Sequence, residues 1–311
     1  MKQRPIAVLT GPTGTGKSAI ALALAREFPL EIVSADSAQV YRGLDIGSAK
    51  PSAHERAAVP HHLIDLIDPV ASYSAGQFVR DASRAITDIE ARGRVPLIVG
   101  GTMLYLRALI GGIATLPESS AQIRAELDAD AARLGWPALH ARLATVDASA
   151  AARIHPNDAQ RIQRALEVHA ATGEPISALQ ARTRSPLARE FVTVALVPGD
   201  RVRLHAGLAA RFDAMMAAGL LDEVRGLFAR GDLTEGHPAV RAVGYRQLWS
   251  HLAGSYSLDV AHARAVAATR QLAKRQMTWM RSMPEIRPLD PYNAQSFVGV
   301  RESLVAASCL V

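Results

Sequence analysis

The first residues that could do chemistry form a glycine-rich loop with a lysine and a serine at its end. The loop reads Gly11-Pro12-Thr13-Gly14-Thr15-Gly16-Lys17-Ser18 and matches the whole pattern G-x-x-x-x-G-K-[ST]. An apolar run, Ile6–Thr10, precedes it and an Ala/Leu-rich stretch follows. Its backbone N–H groups can surround a di- or triphosphate, while Lys17 supplies a positive charge and Ser18 a hydroxyl for Mg²⁺. The sequence therefore predicts a polyphosphate site, without specifying which polyphosphate or which reaction.

Two further polar residues follow other predicted strands. Asp36 comes after Glu31–Ser34, and Thr102 follows Val95–Val99 and a pair of glycines. Ligands bind at the carboxyl ends of parallel strands, so we expect both to meet the phosphate loop at one edge of a sheet. There Asp36 is predicted to be a general base or a Mg²⁺ partner, with a loop or helix-capping aspartate as the alternative. Thr102 is expected to cap the next helix, which is compatible with contact to a ligand.

A third short strand, His62–Asp65, carries two adjacent histidines at or before its start. Adjacent side chains on a strand point to opposite faces, so packing or hydrogen bonding is favoured over metal ligation for His61 and His62. Asp65 is similar to the aspartate that ends a Walker-B strand and holds Mg²⁺ through water. Asp36 is the stronger candidate of the two carboxylates.

Several basic clusters could contact a polyanion. Residues 160–164 place two arginines and two glutamines in one helical turn, a local pattern that favours a solvated face. Residues 241–247 mix arginine, glycine and tyrosine in a predicted loop, and such a set can clamp a nucleic-acid backbone and stack a base. The basic face of the last long helix can do the same or simply be solvated. Arg211, inside another helix, is a candidate for the phosphate site.

These residues need a scaffold, and the pattern of elements predicts an α/β fold. Apolar strands alternate with helices at the beginning of the chain, and Phe191–Pro198 is a fifth strand candidate. Between them the chain is rich in Ala, Arg and Leu, with apolar residues at helical spacing. Helix starts are predicted at Ser74 (with Gln77 at capping-box spacing), at Asn157 or Asp158, and at Asp200, and the last long helix is expected to end before Pro284. We expect a P-loop-containing parallel sheet core flanked by helices (residues 1–115 and 191–311), with an all-helical insertion domain (residues 116–190).

Composition limits the class of protein. The chain has 311 residues and a formal net charge of +6, which favours polyanionic partners without proving them. The one cysteine, Cys309, excludes an intramolecular disulfide and a thiolate cluster within one chain, which fits a reducing cytosol. No signal peptide or membrane-spanning segment is visible in the sequence. We therefore expect a cytoplasmic protein that does not enter a membrane.

The motifs, taken in order, resemble the tRNA dimethylallyltransferase (isopentenyltransferase) family over nearly the whole chain. The Ser34–Pro51 block is far more specific than the phosphate loop. The blocks that carry the resemblance are Gly11–Ser18, Ser34–Pro51, His62–Asp65, Tyr73–Phe78, Val99–Leu106 and Arg241–Gln247.

The resemblance implies transfer of a dimethylallyl group from dimethylallyl diphosphate to N6 of the tRNA adenosine just 3′ of the anticodon. It implies Mg²⁺ at Ser18 and an insertion domain that grips the tRNA anticodon stem-loop. We also expect the protein to be a monomer. Asp36 corresponds to the base that takes the N6 proton, and Thr102 to a group that positions the substrate. The implied diphosphate-binding residues are Gly11, Pro12, Thr13, Gly14, Thr15, Gly16, Lys17, Ser18 and Arg211. The implied tRNA-binding residues are Asp36, Ser37, Ala38, Gln39, Thr102, Arg124, Gln160, Arg161, Ile162, Gln163, Arg164, Arg241, Ala242, Val243, Gly244, Tyr245 and Arg246.

The chain departs from the family pattern in two places. The loop has Gly14-Thr15-Gly16-Lys17-Ser18 where the family more often has Ala-Ser-Gly-Lys-Thr, which preserves the roles. Residues 116–120 lack the expected proline- and aspartate-containing pattern, so the RNA contact of Arg124 is expected to differ.

Two other functional classes remain as alternatives: a small-molecule kinase or NTPase that uses the same phosphate loop, and a non-catalytic RNA-binding protein.

Overall fold

The computed structural model describes residues 4–114, 116–117, 120–183, 187–283 and 286–310. Part of the divergent 116–120 segment, Glu118 and Ser119, lies outside the described residues. The chain divides into two compact units. Unit 1 comprises residues 1–110 and 187–311, and unit 2 comprises residues 111–186.

Unit 1 is built on a parallel six-stranded sheet, which confirms the predicted α/β class. The strand order is β3-β2-β4-β1-β5-β6, so β4 lies between β1 and β2. The strands are β1 (Ile6–Thr10), β2 (Leu30–Ser34), β3 (His61–His62), β4 (Val95–Gly100), β5 (Phe191–Leu196) and β6 (Ile286–Leu289).

The strands in the middle of the sheet are mostly apolar because helices cover both of their faces. Every residue of β1, β2 and β4 is buried. Their carboxyl ends are aligned, since Thr10 pairs with Gly100 and Ser34 pairs with Val99. The loops that follow these three strands therefore start at the same edge of the sheet.

The two strands at the edges of the sheet differ from the sequence predictions. β3 was expected over His62–Asp65 but has only two residues, because Leu63 and Asp65 adopt left-handed φ values of 63° and 56° that end the extended backbone. β6 was missed, since it has four residues, includes Pro288 and is not fully buried.

Nine helices described in whole or in large part within unit 1 flank the sheet or pack beside it. They are α1 (Lys17–Glu27), α2 (Ala53–Ala58), α3 (Ala75–Ala91), α4 (Met103–Gly111), α10 (Arg201–Ala217), α11 (Leu220–Phe228), α12 (Tyr245–Leu252), α13 (Leu258–Arg281) and α14 (Ser296–Ala306). The α1 and α14 helices cover one face of the sheet through side chains such as Leu24 and Leu304. A second apolar cluster joins the segment around Val40 and Leu44 to α10–α13.

Two predicted helix starts in unit 1 are confirmed by their caps. Ser74 and Gln77 form a reciprocal capping box at α3, with N···O distances of 3.2 and 2.7 Å. Asp200 accepts the N–H of Arg203 at 2.9 Å at the start of α10. The last long helix was expected to end before Pro284, a residue outside those described, and α13 ends at Arg281.

Unit 2 is helical in its described part. Its helices are α5 (Ala121–Leu134), α6 (Trp136–Val146), α7 (Ala148–Ala151), α8 (Ala159–Thr172) and α9 (Ile176–Ala181). Asp158 caps α8 by accepting the N–H of Arg161 at 3.2 Å. Leu139, Leu143 and Ile162 belong to a hydrophobic core formed by residues of unit 2. Across the described parts of both units, no helix combines the length and apolarity needed to cross a membrane.

Candidate functional site

The phosphate loop lies between β1 and α1, as its motif predicted. Gly14 and Gly16 adopt φ values of 81° and 80°, which L side chains rarely adopt, so the turn depends on glycine at both positions. The ammonium of Lys17 donates to the carbonyls of Gly11 at 2.9 Å and Pro12 at 2.8 Å. Ser18 is exposed in the first turn of α1. A loop of this shape at a helix N-terminus favours an anion, because backbone N–H groups at the start of a helix and the positive end of the helix dipole stabilise negative charge.

The charge on Lys17 depends on its neighbours. Burial lowers the pKa of its ammonium to about 8; the Asp36 carboxylate opposes this decrease, while the Arg211 guanidinium adds to it. The same interactions place Asp36 and Arg211 in the electrostatic environment of the phosphate loop, as the sequence analysis expected for both.

Asp36 lies in the loop after β2. Its Oδ1 accepts the N–H groups of Ala38 at 2.8 Å and Gln39 at 3.4 Å, a short-range arrangement that fixes the carboxylate at the edge of the sheet. Because one strand separates β1 from β2, this loop starts about 10 Å from the phosphate loop. A substrate can therefore lie between them.

Thr102 lies between these two loops, after β4. Its hydroxyl was expected to cap the following helix, but Oγ1 accepts the N–H of Ser37 at 3.0 Å and donates to Ser37 Oγ at 3.3 Å. The threonine thus links the end of β4 to the residue next to Asp36. The predicted proximity of Asp36 and Thr102 is present in the structure.

A cavity of about 480 Å³ in unit 1 brings the predicted site residues together. Its polar rim includes Thr13 of the phosphate loop, Asp36, Thr102 and Arg211. Its apolar wall is made by Met103, Leu104, Leu208, Phe212, Met215, Leu220 and Leu272. A molecule with an anionic end and a short hydrocarbon group matches this division.

The sequence analysis missed part of this cavity. Gln276 and Trp279, on α13, line it together with Arg275, which had been grouped with a basic helix face. Their i, i+3 and i+4 spacing is the sequence signal for a shared helix face, but nothing in the sequence showed which face meets the phosphate loop.

Residues 241–245 of the predicted 241–247 loop form one wall of the cavity, and the side chains of this loop differ in exposure. Arg241 and Arg246 are exposed, as RNA contacts must be. Tyr245 had been considered for base stacking, but it is 1% exposed. A Cβ on Gly47 would lie 2.6 Å from its ring, and its hydroxyl donates to Glu223 Oε1 at 2.5 Å. The ring therefore supports the wall and does not stack on a base.

Glu223 is the acceptor that holds two loops of this wall together. Besides the Tyr245 hydroxyl, its carboxylate accepts the N–H groups of Asp45 at 3.0 Å, Ile46 at 2.7 Å and Gly47 at 3.2 Å. Burial and the negative charge of Glu223 raise the pKa of Tyr245, so its hydroxyl stays a donor at neutral pH. Sequence analysis did not identify Glu223, since a glutamate in the first turn of a helix has no distinctive pattern.

The side chain of Gln39 also hydrogen-bonds to other groups of the protein. Its Oε1 accepts from Ser34 Oγ at 2.8 Å, and its Nε2 donates to the carbonyls of Ser48 at 3.4 Å and Ala49 at 3.3 Å. It therefore braces the Ser34–Pro51 block, whereas Ser37 is exposed beside Asp36.

Asp65 does not occupy a magnesium position beside the phosphate loop. Its carboxylate bonds Lys50 at 2.5 Å and Arg56 at 2.8 Å, and β3 lies three strands away from β1. Burial raises the pKa of Asp65, but the bonds and charges of these two cations outweigh it and keep the pKa below its usual range.

The two histidines hydrogen-bond within the protein, as the sequence analysis favoured over metal ligation. His61 Nδ1 pairs with the carbonyl of Val59 at 2.7 Å, and His62 Nε2 with Glu31 at 2.7 Å. Among the described residues, no group of three or more His, Cys, Asp or Glu is arranged to hold a metal ion.

The candidate residues of unit 2 lie on or beside α8, and their environments differ. Arg161 is 66% exposed and 3.5 Å from Asp158. Arg164 is 30% exposed and bonds the buried Glu167 at 3.0 Å and the Pro117 carbonyl at 2.8 Å.

Three more candidates of unit 2 complete this set. Arg124 also pairs with Glu167, at 3.4 Å, and Gln163 donates to Asp128 at 2.7 Å. The side chain of Ile162 is fully buried in the core of the unit, which corrects its place among the RNA-contacting residues. Gln160 and Arg161 are the exposed members of the 160–164 cluster.

Comparisons with known proteins agree with the resemblance in the motifs. Residues 39–283 match the family model for IPP transferase, and residues 4–65 match the model for isopentenyl transferase. A tRNA dimethylallyltransferase from Paraburkholderia phymatum is 61% identical over 286 residues, 91% of this chain and 90% of that protein. One from Bordetella pertussis is 59% identical over 288 residues, 92% of each chain.

Solved structures agree with these relatives. The full-length tRNA isopentenylpyrophosphate transferase from Bacillus halodurans is 34% identical in sequence, with a TM-score of 0.72. The match covers 99% of this chain and 97% of that protein. A eukaryotic dimethylallyltransferase described as acting on tRNA matches 98% of this chain with 79% of its own, at 26% identity and a TM-score of 0.84. The chain therefore belongs to the IPP transferase family.

Proposed function

We propose that this chain transfers a dimethylallyl group from dimethylallyl diphosphate to N6 of the tRNA adenosine that lies just 3′ of the anticodon. The observation that carries the proposal is the cavity that joins the phosphate loop, Asp36, Thr102 and Arg211 to an apolar wall. The names of the relatives and of the solved structures support the same reaction. We further propose that the protein acts as a monomer in the cytoplasm, where tRNA is found.

The phosphate loop serves the leaving group. As the allylic C–O bond breaks, its electron pair stays on the diphosphate oxygen and negative charge increases there. Loop N–H groups, Lys17 and Arg211 stabilise that charge, which lowers the barrier because the stabilisation is greatest in the transition state. Hydrolysis of a nucleotide is not required.

Magnesium fits the donors at the start of α1. Mg²⁺ prefers oxygen ligands and keeps several waters, so one hydroxyl together with diphosphate oxygens is a suitable set. Ser18 is exposed there and supplies that hydroxyl. When bound, the ion would neutralise charge on the leaving diphosphate.

Asp36 acts on the nucleophile. The lone pair of an exocyclic adenine nitrogen is delocalised into the ring, so N6 attacks poorly unless its proton is removed as the N–C bond forms. The Asp36 carboxylate accepts that proton. Thr102 contacts the residue beside Asp36 and holds this side of the cavity in position.

The tRNA must present an extruded base to the cavity. We assign contacts with the phosphates around that base to two exposed cations of unit 1, Arg241, which lines the cavity, and Arg246. We assign the grip on the anticodon stem-loop to unit 2, the helical insertion, through Gln160, Arg161 and the partly exposed Arg164.

The competing proposal is a phosphate-loop kinase or NTPase. It would use Lys17 and Ser18 in the same way and hold Mg²⁺ through a carboxylate such as Asp65. The ion pairs of Asp65 with Lys50 and Arg56 argue against that use.

The function is tested by incubating the purified protein with unmodified tRNA and dimethylallyl diphosphate, without ATP, and analysing the tRNA nucleosides by mass spectrometry. We expect one adenosine to gain a C5H8 unit. A tRNA with guanosine at that position is the control and should stay unmodified. Unmodified adenosine together with phosphoryl transfer from ATP would favour the kinase.

Replacing Asp36 separates its chemical role from its structural one. Asp36→Asn keeps an Oδ1 that accepts the Ala38 N–H but cannot take the N6 proton, so we expect turnover to fall about 10²–10⁴-fold. Affinity for tRNA, measured by filter binding, should be retained. Asp88→Asn, an exposed change of the same kind on α3, is the control. Near-normal turnover of the Asp36 variant would exclude it as the base.

The pKa of Lys17 predicts a pH dependence. Its cationic form predominates below pH 8 and is lost as the pH rises through about 8, and diphosphate binding needs the cation. The kcat/KM for dimethylallyl diphosphate, which reports the free enzyme, should therefore decline above that pH. In Lys17→Arg the cation persists, so its lower activity should not decline there. A wild-type profile that stays flat through pH 8 would contradict this.

Arg161 and Arg164 should differ in their effects on stability. Both Arg161→Ala and Arg164→Ala should weaken tRNA binding and reduce the slope of log K against log[salt] by about 1 each. Arg164→Ala should also destabilise unit 2 by about 1–3 kcal/mol, because it removes partners of the buried Glu167 and of the Pro117 carbonyl. Thermal unfolding measures this difference, and equal Tm values for the two variants would rule it out.

A further inference from the structure

Gln276, in the second half of α13, joins two loops that are distant from it in sequence. Its Nε2 donates to the carbonyl of Gly101 at 2.8 Å, and its Oε1 accepts the N–H of Thr13 at 3.0 Å. The residue is 9% exposed and lies at the wall of the cavity. Both ends of the carboxamide are thus engaged with backbone groups of the phosphate loop and of the loop after β4.

Gly101 is shaped to receive this side chain. A Cβ on Gly101 would lie 2.6 Å from Gln276 Nε2 and 3.1 Å from the carbonyl oxygen of Gly11. Only a residue without a side chain lets the carboxamide and the phosphate loop approach together. The Gln276 amide therefore fills the space where the two loops and α13 meet.

The contact extends from the phosphate loop toward Asp36. Gly101 is followed by Thr102, whose hydroxyl bonds the backbone N–H of Ser37, and Ser37 is the neighbour of Asp36. The sheet fixes the spacing of strand ends, but the reacting groups lie beyond those ends. The hydrogen bonds of Gln276 and Thr102 therefore fix the positions of the loops that follow β1, β4 and β2 relative to one another.

We propose that Gln276 is a positioning residue, which sets the separation between the phosphate loop and Asp36 and so aligns the leaving group with the attacking N6. The inference rests on the proposed transfer reaction. It concerns alignment, since the Gln276 carboxamide is occupied by protein partners. A displacement of about 1 Å between reacting groups can cost on the order of 10²-fold in rate, so loss of one such link should be measurable.

Gln276→Met tests the proposal, because methionine has a similar volume and cannot bond either loop. With tRNA and dimethylallyl diphosphate both saturating, we expect the single-turnover rate constant to fall about 10–100-fold. The dissociation constant for tRNA and the KM for dimethylallyl diphosphate should change less than about threefold. A single-turnover rate constant does not depend on the fraction of folded enzyme, so a merely structural role would leave it unchanged.

Two variants support the interpretation. Gln276→Asn retains a polar amide but is one methylene too short to reach both loops, so it should also be slow even if methionine impairs folding. Gln271→Met makes the same chemical change at an exposed position of the same helix and should keep the wild-type rate constant. A rate constant within about threefold of wild type for both Gln276 variants would overturn the proposal. So would a raised KM for dimethylallyl diphosphate at an unchanged rate constant, which would make Gln276 a substrate contact.

Hydrogen–deuterium exchange tests the link without any turnover. The peptide containing Thr13 should exchange faster in Gln276→Met than in wild type. In Gln271→Met the same peptide should exchange at the wild-type rate. Unchanged exchange at this peptide would overturn the proposal even if the enzyme transfers the prenyl group. Faster exchange in a protein that modifies no tRNA would instead contradict the proposed function while leaving the Gln276 link intact.

Discussion

The position of β4 between β1 and β2 is the constraint on which the site depends. Hydrogen bonds between parallel strands fix their spacing at about 4.8 Å, so the loops after these strands start side by side. The phosphate loop, Thr102 and Asp36 are thereby held at one edge of the sheet, where residues of all three line the same cavity. A crossover connection is needed for each parallel neighbour, and the flanking helices supply it.

The sheet alone does not complete the site, because side chains from the second half of the chain close the cavity. Gln276 fills the gap between the phosphate loop and Gly101, and Glu223 holds the 45–47 loop against Tyr245. Each uses one planar polar group to satisfy several backbone or hydroxyl partners. Gln276 is buried and Glu223 is partly buried, and polar groups with little access to water are costly when unpaired, so these bonds make the loop arrangement specific as well as stable.

The distribution of charge shows why net charge is an incomplete guide to RNA binding. The chain carries a formal charge of +6, yet several of its cations are paired within the protein. Lys50 is bound to Asp45 and Asp65, and Arg189 to Glu90. Arg161, Arg241 and Arg246 have exposed side chains. Position in the fold therefore decides which arginines are free to bind phosphate.

The sequence by itself determined the α/β class, most of the sheet strands, three helix caps and the phosphate loop, because each depends on local spacing and residue type. The family followed from ordered motifs, above all Ser34–Pro51. The tertiary structure decided what local patterns do not encode: that Tyr245 packs on Gly47, that Ile162 is in a core, that Asp65 is paired with Lys50, and that Gln276 meets the phosphate loop. These contacts join residues distant in sequence, and their energies depend on burial and geometry that exist only once the chain has folded.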